Sequence, residues 1–183
     1  MPVKPNFNPD YLYFITTSTI GFIHLFKRDS IKRILLDSLH FLHTAQRMNL
    51  YVFVIMPNLV HFISRFSEEH KIGDVLRDFK RHTARQIIRQ LIAEQNTKLL
   101  SNLEQAVTDN KQEYKIWEDG YDARDIFSVS FLRQKMDYIH WNPCKPKWEL
   151  VKVPEDYVWS SARFYLTNQP TIISVDDVRE LFV

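Results

Sequence analysis

From Leu50 to Phe66 the chain is apolar and aromatic almost throughout, and Pro57-Asn58 divides the run in two. Leu50 to Met56 and Leu59 to Phe66 are rich in β-branched and aromatic side chains, which suit a pleated, packed surface. Proline and asparagine between them favour a turn, one by presetting φ and the other by tolerating tight backbone conformations. The segment therefore reads as a β-hairpin around which the rest of the chain is arranged. Its longest apolar stretch, Leu50 to Pro57, is too short to cross a bilayer.

The flanking sequence supplies the other elements. Tyr11 to Thr17 is aromatic and β-branched and predicts a first strand. Asp29 or Ser30 caps a helix carrying Ile31, Ile34, Leu35, Ser38, Leu39 and Leu42 along one stripe. A second helix is predicted over Ile72 to Ala93, with Ile72, Val75, Leu76, Phe79 and Thr83 facing inward. Tyr114 to Trp117 predicts a short strand. Ser128 to Trp141 predicts a third helix capped by Ser128 or Ser130, and a turn and a further helical segment follow. Strand, helix, hairpin, helix, strand is the βαββαβ order of an α+β, ferredoxin-like fold, an antiparallel sheet with helices packed on one face. No repeat or linker interrupts the 183 residues, so they read as a single domain, with the polar, acidic stretch at 94–112 as an insertion.

Composition narrows the chemistry. Three glycines and no glycine-rich phosphate loop argue against nucleotide hydrolysis, and the lone Cys144 excludes an internal disulfide or a cysteine-based zinc cluster. A polar, proline-containing start is unlike a signal peptide, and the expected setting is cytoplasmic, with no membrane partner. A net charge of +2 makes no case by itself for nucleic acid. Its distribution says more: Lys71 to Arg89 is basic and Glu94 to Asp125 acidic, an asymmetry that suits a polyanion meeting one face. Arg77, Arg81, Arg85 and Arg89 recur every four residues on the second helix, with Lys80 at the edge of the stripe. Such a stripe meets phosphates, or else is a solvated face on which Asp74 and Asp78 pair with Arg77 and Arg81.

Tyr138 and Asn142 lie four apart on the third helix and project from one face. A tyrosine nucleophile needs help, because its ordinary pKa is about 10. Residues 59 and 61 share one face of the third strand. Met56-Pro57-Asn58-Leu59-Val60-His61 and Tyr138-Ile139-His140-Trp141-Asn142-Pro143 resemble the two signature stretches of the REP-associated tyrosine transposases, relatives of insertion-sequence transposases that cut single-stranded DNA with one tyrosine. Trp117-Glu118-Asp119-Gly120-Tyr121-Asp122 and Pro154-Glu155-Asp156-Tyr157 resemble two further segments of that family, and the matching pieces run from about Tyr11 to Tyr165.

The resemblance implies a ferredoxin-like fold and a single-stranded or hairpin DNA partner, acting as a monomer or a homodimer. It implies Tyr138 as the nucleophile that becomes joined to a 5′ phosphate, and His61 with Asn142 as ligands of a divalent metal, Mg²⁺ or Mn²⁺. It implies DNA contacts from Arg77, Lys80, Arg81, Arg85 and Arg89, with Arg124 as an outlying phosphate contact. Where the family has its first metal-binding histidine this chain has Leu59, which leaves metal binding weak or absent. Three explanations fit: a degenerate site that binds DNA without cutting it, an active site with rearranged ligands, or a change confined to this copy. A catalytically silent, domesticated DNA-binding protein is the alternative function, and a ferredoxin-like interaction module is the rival of a different class.

Overall fold

The computed structural model describes residues 7–107 and 112–182, so part of the expected insertion, and the first and last residues, lie outside the described residues. Four strands, β1 (Leu12–Ser18), β2 (Asn49–Met56), β3 (Leu59–Arg65) and β4 (Asp122–Ile126), form one antiparallel sheet in the order β2-β3-β1-β4. The expected hairpin is β2 and β3, joined at Pro57-Asn58. Its register sets Val54 opposite His61 and Met56 opposite Leu59. Helices α1 (Asp29–Thr44), α2 (Ile72–Ala93), α3 (Thr97–Gln105), α4 (Val129–Trp141) and α5 (Ala162–Thr167) complete the framework. The α+β, ferredoxin-like plan read from the sequence is the one found, but helices cover both faces of the sheet rather than the one expected, because β1 to β3 are apolar on both faces.

One strand is not where the sequence placed it. Tyr114 to Trp117 makes a single bridge, Trp117 to Thr19, and the fourth strand is Asp122–Ile126. Asp-Ala-Arg-Asp-Ile has little β propensity, but an edge strand tolerates charge: Ala123, paired with Ile15, and Ile126, paired with Leu12, are buried on opposite faces, while the charged residues are more exposed. Gly120, at φ +68, takes the left-handed turn that leads the chain into it. Trp117 serves the core instead: its ring packs on Phe26 and Phe79, and its indole N–H donates to Thr83 Oγ1 of α2 at 3.1 Å.

The insertion is part helix. Asn96 caps α3 by accepting from the Leu99 amide at 3.2 Å, and Leu103 is fully buried, so the segment is fastened to the domain.

Strands β1 to β3 are buried along most of their length, which requires cover on both faces of the sheet. Alternation puts Tyr13, Ile15, Phe62 and Ser64 on one face and Phe14, Thr16, His61 and Ile63 on the other. Helices α1 and α2 pack together, and the first turn of α2 borders Tyr121 and Ala123, beside Ile15. Helix α4 lies over the face of Phe14 and His61, since Tyr138 packs on both rings. The free edge of β2 is closed by the C-terminal segment: the Ile55 amide donates to Trp159 O at 2.9 Å, the Ser161 amide to Phe53 O at 3.0 Å and the Asp176 amide to Leu50 O at 2.8 Å.

Candidate functional site

Tyr138 stands at the centre of the site because three local features aim it. Ser128 caps α4, its hydroxyl accepting from the Phe131 amide at 3.2 Å, and so fixes where the helix begins. His140, buried beyond Tyr138, bonds Ser161 Oγ through Nε2 at 3.0 Å, while the same hydroxyl accepts from the Phe53 amide at 3.0 Å. That pair ties the helix to the C-terminal segment and to β2. Asn142-Pro143-Cys144 then tightens into a 3-10 turn, as expected where proline stops a helix. His140 is thus a fastening group, and burial lowers its pKa to about 4, which keeps it neutral near pH 7.

The Tyr138 ring stands edge-on to His61 at 5.3 Å between centroids and to Phe14 at 6.1 Å. It is 41% exposed, so the phenol is open to solvent over a buried aromatic floor. Below it His61 is enclosed: Nδ1 shares a 2.8 Å hydrogen bond with Thr16 Oγ1, and Nε2 has no partner. Burial, then the nearby ammonium groups of Lys145 and Lys135, pushes the His61 pKa down to about 3, so the ring is neutral.

Those two lysines are residues that sequence reasoning missed. Lys145 Nζ lies 3.7 Å from the Tyr138 ring centroid, and Lys135 Nζ lies 5.8 Å from it and 4.8 Å from that of Phe14. Helical spacing held a signal for Lys135, one turn before Tyr138. Lys145 had none, because the turn at Asn142–Cys144 brings it back over the helix.

The residues fit a divalent ion poorly. Leu59 sits on the same face as His61, partly buried against the core, and offers no lone pair. Thr16 Oγ1 is engaged by Nδ1, and His61 Nε2 is shut from solvent. Among the described residues no group of three or more His, Cys, Asp or Glu is placed to hold a metal. Asn142 is buried at the end of α4 and keeps helical backbone angles, so its spacing from Tyr138 is the expected one. One imidazole nitrogen and one amide, with two ammonium groups nearby, is a cationic environment in which a dication is repelled.

The basic stripe of α2 is exposed, as expected, but it is not gathered at Tyr138. Arg77 pairs with Asp74 at 2.9 Å and Arg81 with Asp78 at 2.9 Å, and Asp78 also takes Arg47 at 2.9 Å, which holds its carboxyl below the usual range. Arg85 and Arg89 make no ion pair among the described residues. Arg81 and Arg85 border the groove between α1 and α2 together with Phe41 and His82. Lys80 turns inward and donates to the carbonyls of Glu118 and Gly120, and burial lowers its pKa to about 8. It is a fastening for the loop before β4 rather than part of an open stripe. Arg124 lies opposite Phe14 in the sheet, exposed and 3.3 Å from Asp122, at the rim of the Tyr138 face.

Among solved structures, one of a REP-associated tyrosine transposase bound to a REP hairpin is similar over 97% of this chain and 93% of that one, with a TM-score of 0.64 at 15% identity. A putative transposase from Deinococcus radiodurans is similar over 76% of this chain and 95% of that one, with a TM-score of 0.46 at 19% identity. No family model matches the chain, and no curated protein matches it in sequence. At 15% identity the likeness to the hairpin-bound transposase is one of fold, and it extends over nearly the whole of both chains.

Proposed function

We propose that this chain, built on the fold of a tyrosine transposase, is a transposase-type protein that binds single-stranded or hairpin DNA with Tyr138 in the position of the nucleophile. The observation that carries the reading is Tyr138 itself: half-open over the buried His61, beside two lysines, on a helix anchored at both ends. Arg124 extends the basic surface along the sheet rim, and Arg85 and Arg89 offer a second basic strip on α2. The α2 strip supports contacts to a hairpin stem, and the Tyr138 face contacts to an unpaired strand.

The chemistry available to such a site is phosphodiester exchange. The Tyr138 oxygen attacks phosphorus and gives its proton to water. The bond from phosphorus to the 3′ oxygen breaks, and that oxygen leaves after taking a proton. The 5′ phosphate stays on tyrosine, and the reverse attack by a 3′ hydroxyl rejoins the strand without a nucleotide cofactor. Leu59 supports a second reading, in which the chain binds the same DNA and no longer cuts it.

A denaturing gel for protein-linked DNA decides between them. Wild type, Tyr138→Phe and Leu59→His are incubated with labelled hairpin oligonucleotides bearing single-stranded tails, with Mg²⁺ or Mn²⁺. An adduct in wild type that disappears in Tyr138→Phe supports cleavage by this tyrosine. Binding with no adduct from any variant leaves the silent DNA-binding protein. Hairpins that fail to bind sink both readings.

A further inference from the structure

Lys135 and Lys145 reach the Tyr138 ring from different elements, one from the helix and one from beyond the 3-10 turn. Their ammonium groups lie over aromatic rings: Lys135 Nζ over Phe14 at 4.8 Å and Phe131 at 5.1 Å, Lys145 Nζ over Tyr138 at 3.7 Å. Cation–π contact restrains each side chain in this position. Neither ammonium has an ion-pair partner among the described residues, and Asp122, the acidic group acting on Lys135, is already held by Arg124. Two like charges converging on one ring repel each other, and an anion between them turns that repulsion into attraction. The ring they converge on is that of Tyr138, which is exposed and carries a phenol, and its floor, His61, is buried and neutral.

We propose that Lys135 and Lys145 together seat one backbone phosphate of single-stranded DNA beside the Tyr138 oxygen, without a divalent ion. This rests on the DNA-binding reading above and says how that site holds its ligand. It accounts for the tolerance of Leu59, because two ammonium groups neutralise the phosphate oxygens that a metal would otherwise meet. It also gives Arg124 a role, on the neighbouring phosphate along the strand.

The test is fluorescence anisotropy with a labelled hairpin oligonucleotide carrying a single-stranded tail, titrated across a salt series in EDTA and again in Mg²⁺. Wild type is expected to bind with the same affinity in both. Lys135→Gln with Lys145→Gln is expected to weaken binding about tenfold and to flatten the log–log salt dependence by about 0.7, the value for one lost single-strand phosphate contact. Lys145→Arg, which keeps the charge, is expected to keep the slope. Should the glutamine variants fail to fold, Lys145→Met keeps an unbranched apolar side chain at that place without the charge and is read in the same way. An unchanged slope in the double variant overturns the phosphate seat while leaving DNA binding in place. Wild-type affinity that collapses in EDTA also overturns it, by showing that a metal holds the phosphate. A wild type that binds no hairpin in either buffer removes the functional reading and this inference with it.

Discussion

His61 and His140 are imidazoles that the fold keeps neutral, and this makes stability depend on pH. Their folded pKa values are lowered to about 3 and about 4, mainly by burial, against about 6.5 when exposed in the unfolded chain. Between those limits the unfolded chain binds more protons than the folded one, so stability falls as pH drops below about 6.5. Thermal melts at pH 7 and 4.5 are expected to show a lower Tm at the acid value, with a smaller drop in His61→Phe, where one of the two groups is removed. Equal midpoints would mean that both rings are solvated. At alkaline pH a different residue acts with the same sign. The Lys80 pKa is lowered to about 8, so stability rises as pH climbs from about 8 toward its unfolded value. Above pH 10 that gain is opposed by Tyr157 and Tyr165, whose phenols burial holds protonated while unfolded tyrosines ionise. Lys80→Met is expected to remove the rise between pH 8 and 10, read by urea denaturation.

Helix α4 shows how an element transmits sequence to site. Its start is set by Ser128, its end by Asn142-Pro143, and its rotation by His140 on Ser161. Ser128→Ala removes the cap and is expected to cost about 1 kcal/mol, lowering Tm by about 2–4 °C in a chain of this size. Differential scanning calorimetry measures it, and an unchanged Tm would mean that packing alone sets the helix start. Helices α1, α2 and α4 were legible because a 3.6-residue apolar repeat or a capping serine marks each one. Strand β4 was not, because a charged edge strand carries no such mark: pairing with β1 makes it a strand, and that pairing is nonlocal.

For the whole molecule, the C-terminal segment is part of the sheet's boundary. Tyr157 and Tyr165 donate through their hydroxyls to Ile55 O at 2.8 Å and Tyr51 O at 2.9 Å, alongside the backbone bonds that close β2. Without this cover an apolar strand would present unpaired backbone groups, which invites edge-to-edge association. Deleting residues 157–183 is therefore expected to give a protein that aggregates, seen by size-exclusion chromatography and dye binding; a well-folded monomer would show that the segment is dispensable. The same segment holds His140 in place, so the site and the sheet edge share one support.

By itself the sequence determined the hairpin, the helix faces and the candidacy of Tyr138 and His61, because these rest on local periodicity, turn chemistry and residue type. Only the tertiary structure decided which cations stand beside the tyrosine. Arginines every four residues on α2 looked the more natural partners, yet two of them are occupied by Asp74 and Asp78, and the stripe lines a different part of the surface. Lys135 and Lys145 came instead from a helix turn and a 3-10 exit, brought together on the Tyr138 ring. The reason is physical: a side chain's neighbours across a sheet or a turn follow from strand order and chain reversal, and neither is written in local spacing.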